Sequence, residues 1–74
     1  MRKKDARTRA LLLDCAREIA NEKGTAAINM RRLAARAGVA TGTVYNYFTG
    51  KDDVLLALTE DDWRDALQKL ERAM

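Results

Sequence analysis

Apolar residues recur along this chain every three or four positions, with no stretch of strict alternation, and the pattern resolves into helices. Leu12, Leu13, Ala16, Ile19 and Ala20 form the stripe of a core-facing helix running from Thr8 to Lys23, with Thr8 as its cap. Gly24 accepts the backbone that ends such a helix. After the connector Thr25-Ala26-Ala27-Ile28, with Ile28 tucked into the core, Asn29 offers a side-chain oxygen to cap a second, shorter helix. Met30, Leu33, Ala34 and Ala37 give that helix one apolar face, while Arg31, Arg32 and Arg36 point elsewhere.

The segment from Gly38 to Phe48 predicts a tight turn and a very short third helix. Only Val44 and Phe48 are placed to be buried; Gly42, Thr43, Tyr45, Asn46 and Tyr47 lie around the polar side. Two short helices joined by a glycine-containing turn are the signature of a helix-turn-helix, whose second helix enters the DNA major groove. Small Ala34 and Gly38 are expected to let the helices approach closely. A helical hairpin inside an all-α bundle is the alternative reading of this segment. Thr49-Gly50 then breaks the chain, and a fourth helix starts near Lys51 or Asp52, with Asp52 and Asp53 at the positive end of its dipole.

That fourth helix carries Val54, Leu55, Leu58, Leu67, Leu70 and Met74, with Trp63 and Ala66 between, and its apolar phase slips near Thr59-Glu60-Asp61-Asp62. The slip predicts first turns that pack on the preceding helices and later turns that serve another surface. Trp63, Leu67, Leu70 and Met74 make a sticky stripe for a monomer, as expected of a chain with the rest of its core elsewhere. The fold class is therefore all-α: a homeodomain-like three-helix bundle with a helix-turn-helix over about 29–48, plus the start of a long fourth helix. The domain organisation expected is a basic flexible arm over 1–7, a DNA-binding domain over 8–50, and a connecting helix over 51–74.

Charge sharpens this picture. Residues 1–51 hold eleven Lys/Arg against four acids, whereas residues 52–74 hold three against seven, within a net charge of +3. Polyanion binding is mainly phosphate neutralisation, so the basic part is expected to face nucleic acid and the acidic part to point away. The segment Arg2-Lys3-Lys4-Asp5-Ala6-Arg7 reads either as a solubilising terminus or as an arm that tracks the DNA backbone. Histidine and serine are absent and the acids are scattered, which removes the usual general base and Ser-His or Cys-His nucleophiles. An enzyme is not expected, nor a cofactor or metal. The single Cys15 reads as a small packed side chain, with no partner for an intrachain disulfide. No apolar run has the length of roughly 20 residues needed to span a bilayer, and no signal-peptide core is present, so a cytoplasmic protein is expected.

Four groups of residues together resemble the N-terminal domain of the tetracycline-repressor (TetR) family of transcriptional regulators. They are Gly24 closing the first helix, Asn29-Met30-Arg31-Arg32-Leu33-Ala34 opening the second, Ala37-Gly38-Val39 at the turn, and Gly42-Thr43-Val44-Tyr45-Asn46-Tyr47-Phe48 followed by Lys51. The resemblance runs from Thr8 to Leu58 and more loosely beyond. It implies a sequence-specific regulator, most simply a ligand-responsive repressor. Such a protein binds a palindromic operator on double-stranded DNA as a homodimer formed through a further domain that also takes a small-molecule effector. The alternative function is a helical protein-interaction module, with the tyrosine-rich surface docking a partner protein.

The resemblance also implies site residues. Arg31 would contact a base, gripping guanine O6 and N7, or a phosphate. Thr41 and Thr43 would meet phosphate oxygens at the start of the third helix, with Thr41 serving alternatively as a cap. Gly42 would let the helix backbone approach the groove, and Tyr45 would be the DNA-contacting tyrosine. Tyr47 would touch backbone phosphate, Asn46 would be placed to read adenine, and Lys51 would contact phosphate. Two departures from the family pattern stand out. Ala40 occupies the place of a common serine cap, and Gly50 that of a serine or asparagine, which predicts a looser loop before Lys51.

Overall fold

A computed structural model describes residues 5–73 of the chain, with four α-helices and no strand among them. The first helix, α1, spans Ala6–Lys23 and begins earlier than expected. Asp5, not Thr8, is its cap: the Asp5 Oδ1 accepts the Arg7 N–H at 2.9 Å. Both residue types cap well, but capping at Asp5 lets Ala6 and Arg7, both good helix formers, join the helix. Asp5, Ala6 and Arg7 therefore belong to the folded unit and not to an arm; residues 1–4 of the expected arm lie outside the described residues.

Gly24 ends α1 at φ +87, its N–H donating to the Ala20 carbonyl at 2.8 Å. One 3-10 turn over Thr25–Ala27 leads into α2, Met30–Ala37. As the sequence suggested, the Asn29 Oδ1 caps α2 by accepting the Arg32 N–H at 2.7 Å. Gly38 closes α2 in the left-handed region, at φ +74, where a side chain would be strained. A Cβ at Gly38 would meet nothing within 4 Å, so this glycine supplies a backbone conformation and not the close helix approach expected of it. Ala34, the other small residue of this pair, is buried in the core.

The third helix, α3, covers Thr41–Tyr47, and α4 covers Lys51–Ala73. Ala40 sits at the cap position of α3 with no side-chain cap, and Thr41 is already inside the helix, so the expectation of Thr41 as cap is overturned. Before α4, the Asp53 Oδ2 accepts the Thr49 N–H at 2.9 Å. That bond fastens the loop at Gly50, which the missing serine or asparagine had suggested would be loose.

One core joins all four helices. Leu12 and Ile19 of α1, Ile28 of the connector, Leu33 of α2, Val44 of α3 and Val54 of α4 are each fully buried. Each such aliphatic side chain contributes about 1.5–3 kcal/mol on leaving water. Cys15 is buried among them, and burial pushes its thiol pKa up, which suits a packed side chain and not a nucleophile. The later turns of α4 stand outside the core formed by the described residues: Trp63 is 67% exposed and Leu70 60%. Met74, the last member of the expected stripe, lies outside the described residues.

Candidate nucleic-acid interface

Val44 and Phe48, one turn apart and both buried, fix the roll of α3 about its own axis. At 3.6 residues per turn, the other positions then fall into three rows. Thr41 and Tyr45 share the flank toward the start of α2. Gly42 and Asn46 face outward and are exposed, and Thr43 and Tyr47 take the opposite flank, both half-buried. Tyr45 is 53% exposed, although it neighbours the most deeply buried residue of its helix. An aromatic phenol left in water on a helix this short is available to a partner.

Arg31 joins the first flank from α2. Asn29, Met30, Arg31, Thr41 and Tyr45 line one open groove of about 530 Å³ between the start of α2 and α3. Three predicted site residues from two helices thus converge on a single depression, with a guanidinium, a hydroxyl and a phenol at its rim. Asn29 and Met30 were not among the predicted site residues. The sequence marked both, but as cap and core, and each also forms groove wall.

Two predicted residues also hold contacts inside the domain. The Tyr47 hydroxyl accepts the Asp5 backbone N–H at 2.7 Å, and its half-buried side chain packs against the core. The phenolic proton remains available to donate. Lys51 is half-buried and its Nζ donates to the Ala26 carbonyl at 3.3 Å, tying the start of α4 to the 3-10 turn.

The positive charge is also partly spent inside the domain. Arg36 grips Glu22 with two bonds of 2.7 Å and reaches Glu18 at 3.3 Å, which holds the Glu22 carboxyl below its usual pKa and raises that of the guanidinium. Arg17 pairs with Asp62 of α4 at 2.9 Å, so part of the acidic segment lies against the basic one. Arg31 and Arg9 have no carboxylate partner among the described residues. The guanidinium carbon of Arg9 stands 5.5 Å from the centroid of the Phe48 ring. No group of His, Cys, Asp or Glu suited to a metal occurs among the described residues, and none of their helices is long and apolar enough to cross a membrane.

The family model described as bacterial regulatory proteins of the tetR family matches residues 12–58. The fatty acid metabolism regulator protein of Bacillus subtilis is 33% identical over 60 residues, 81% of this chain and 31% of that protein. The transcriptional repressor KstR of Mycolicibacterium smegmatis is 37% identical over 65 residues, 88% of this chain and 32% of the repressor. Among solved structures, the fatty acid degradation regulator FadR from Bacillus halodurans superposes with a TM-score of 0.83 at 32% identity, covering 99% of this chain and 38% of that one. The chain spans about a third of the length of the curated relatives it matches.

Proposed function

Since the chain belongs to the tetR family of bacterial regulatory proteins, we propose that it is the DNA-binding domain of a transcriptional repressor acting on a palindromic operator. In this reading α3 enters the major groove. Its outward row, Gly42 and Asn46, faces the base edges, and the flank of Thr41 and Tyr45 faces one phosphate strand. Gly42 leaves open space where a side chain would stand, which allows backbone and base edges to come close. Arg31, beside that flank, grips either a guanine edge or a phosphate. Thr43 supplies a hydroxyl on the opposite flank, and Tyr47 a phenolic proton for a phosphate oxygen. Lys51, already anchored on the Ala26 carbonyl, adds charge toward the backbone.

One observation carries the proposal: Arg31, Thr41 and Tyr45 surround one open groove beside a helix held by only two buried anchors. A core helix has no need of such a face. The regulators named among the relatives support the same reading. The proposal extends to a homodimer, placing two copies of α3 in successive major grooves about 34–36 Å apart. A small-molecule effector bound outside these residues would alter that spacing through α4. Such a protein works in the cytoplasm, where bacterial operators are.

Binding to duplex DNA measured across a series of salt concentrations tests this. Phosphate neutralisation makes log affinity fall linearly with log salt, by about 0.9 for each phosphate contacted. A steep, linear fall is expected. Affinity indifferent to salt, or no duplex binding by a dimeric form, would return the tyrosine-rich face to protein docking.

A further inference from the structure

Asp5, the cap of α1, and Arg9 lie one turn apart and meet consecutive residues at the end of α3. The Asp5 N–H is bonded to the Tyr47 hydroxyl at 2.7 Å, and the Arg9 guanidinium carbon stands 5.5 Å from the centroid of the Phe48 ring. The start of α1 is thereby fixed against the flank of α3 that carries Thr43 and Tyr47, on the side away from Arg31. Arg9 remains exposed there, near the start of α1. Its use differs from that of two other arginines of the domain. Arg17 and Arg36 are consumed by carboxylates, whereas Arg9 has no carboxylate partner among the described residues and is held by an aromatic face alone.

An aromatic face orients a guanidinium without neutralising it, so the charge stays available to an anion. A helix lying in a major groove about 12 Å wide has a phosphate strand on each side. Arg31 supplies a cation for one side of α3. We propose that Arg9, positioned by the Phe48 ring and flanked by the free phenolic proton of Tyr47, is the phosphate contact for the strand on the other side. This inference rests on the reading of α3 as the DNA-reading helix. Arg9 contributes register and affinity without base preference, because phosphates carry no sequence information. It also gives Phe48 a second duty: the residue that anchors α3 in the core also aims a cation beside it.

The test uses a duplex selected by this chain from a randomised pool, together with a scrambled duplex of the same length. Affinity for both is measured against salt for the native chain, Arg9→Gln, Arg9→Met and Arg31→Gln, with helicity checked by circular dichroism. Gln keeps helix propensity close to that of Arg. Met keeps a long side chain that packs on an aromatic ring, so a defect shared by the two variants is a defect of charge. Both Arg9 variants are expected to lower the salt slope by about one unit on the selected and the scrambled duplex alike, leaving their affinity ratio unchanged. If the native chain and Arg31→Gln show steep salt dependence while both Arg9 variants match the native slope, the Arg9 assignment is overturned and the DNA-reading role of α3 stands. An affinity ratio altered by Arg9→Gln overturns the assignment in favour of base contact. A native chain with no salt-dependent binding removes the functional reading and this inference with it.

Discussion

The hydroxyl of Tyr47 accepts the backbone N–H of Asp5 at 2.7 Å, joining residues 42 positions apart. One contact thus locks the last residue of α3 to the cap of the first helix. It also accounts for where α1 begins, since Asp5 gains a partner for its own N–H in addition to capping Arg7. The geometry of α3 therefore depends on α1 as well as on the turn from α2.

Tyr47→Phe removes that acceptor and keeps the ring. Stability to urea is expected to fall by about 0.5–1.5 kcal/mol, the usual net worth of such a bond. Amide exchange at Asp5, Ala6 and Arg7 is expected to quicken. Unchanged exchange there would show that the bond does not fasten the helix start.

Tyr45 offers the opposite case. Its phenol is 53% exposed and has no hydrogen-bond partner among the described residues. Tyr45→Phe is expected to leave the thermal midpoint nearly unchanged and to weaken duplex binding. The loss is expected at about 1.5–3 kcal/mol, the range for a hydrogen bond to a charged group. A stability loss with unchanged binding would place the hydroxyl in the fold and not in the interface.

Phe48 is 2% exposed and is one of the two anchors of α3. Phe48→Ala is expected to cost roughly 3–5 kcal/mol. A domain this small buries only about 60% of its unfolded surface and has little to spare. Loss of the cooperative unfolding transition in circular dichroism is the expected outcome; a melt within a few degrees of the native chain would contradict it.

The Arg36–Glu22 pair gives the stability of the domain an acid limb. The Arg36 guanidinium holds the Glu22 carboxyl below its ordinary 4.5, so the folded state favours the ionised form. A lowered carboxylate pKa stabilises the fold fully above the unfolded value and ceases to do so as pH falls through the folded one. The thermal midpoint of Arg36→Gln is expected to lie below that of the native chain at neutral pH, with the gap closing below the ordinary 4.5. A gap independent of pH would assign the effect of Arg36 to packing alone.

The helices were legible because local signals and the apolar stripe agree. Leu12, Leu13, Ala16 and Ile19 are buried as their spacing requires, and Asn29 caps as its type suggests. Val44 and Phe48, placed in the core by spacing alone, are there, and they set which residues of α3 face outward. Contacts between helices left no such trace. The start of α1 turned on a choice between two good caps, Asp5 and Thr8, and a hydroxyl 42 residues away accompanies the one chosen. Arg36 looks like DNA-binding charge until the crossing of α1 and α2 brings Glu22 and Glu18 to it. The hold of Lys51 on the Ala26 carbonyl and the stacking of Arg9 on Phe48 likewise depend on how helices meet, which spacing within one helix does not encode.

Backbone amide shifts followed by NMR during titration with a selected duplex test most directly whether α3 is the surface that meets DNA. The largest changes are expected at Arg31, Thr41, Gly42, Thr43, Tyr45 and Asn46, with the segment from Trp63 to Leu70 unmoved. Changes centred on Trp63, Leu67 and Leu70 with α3 silent would contradict the account.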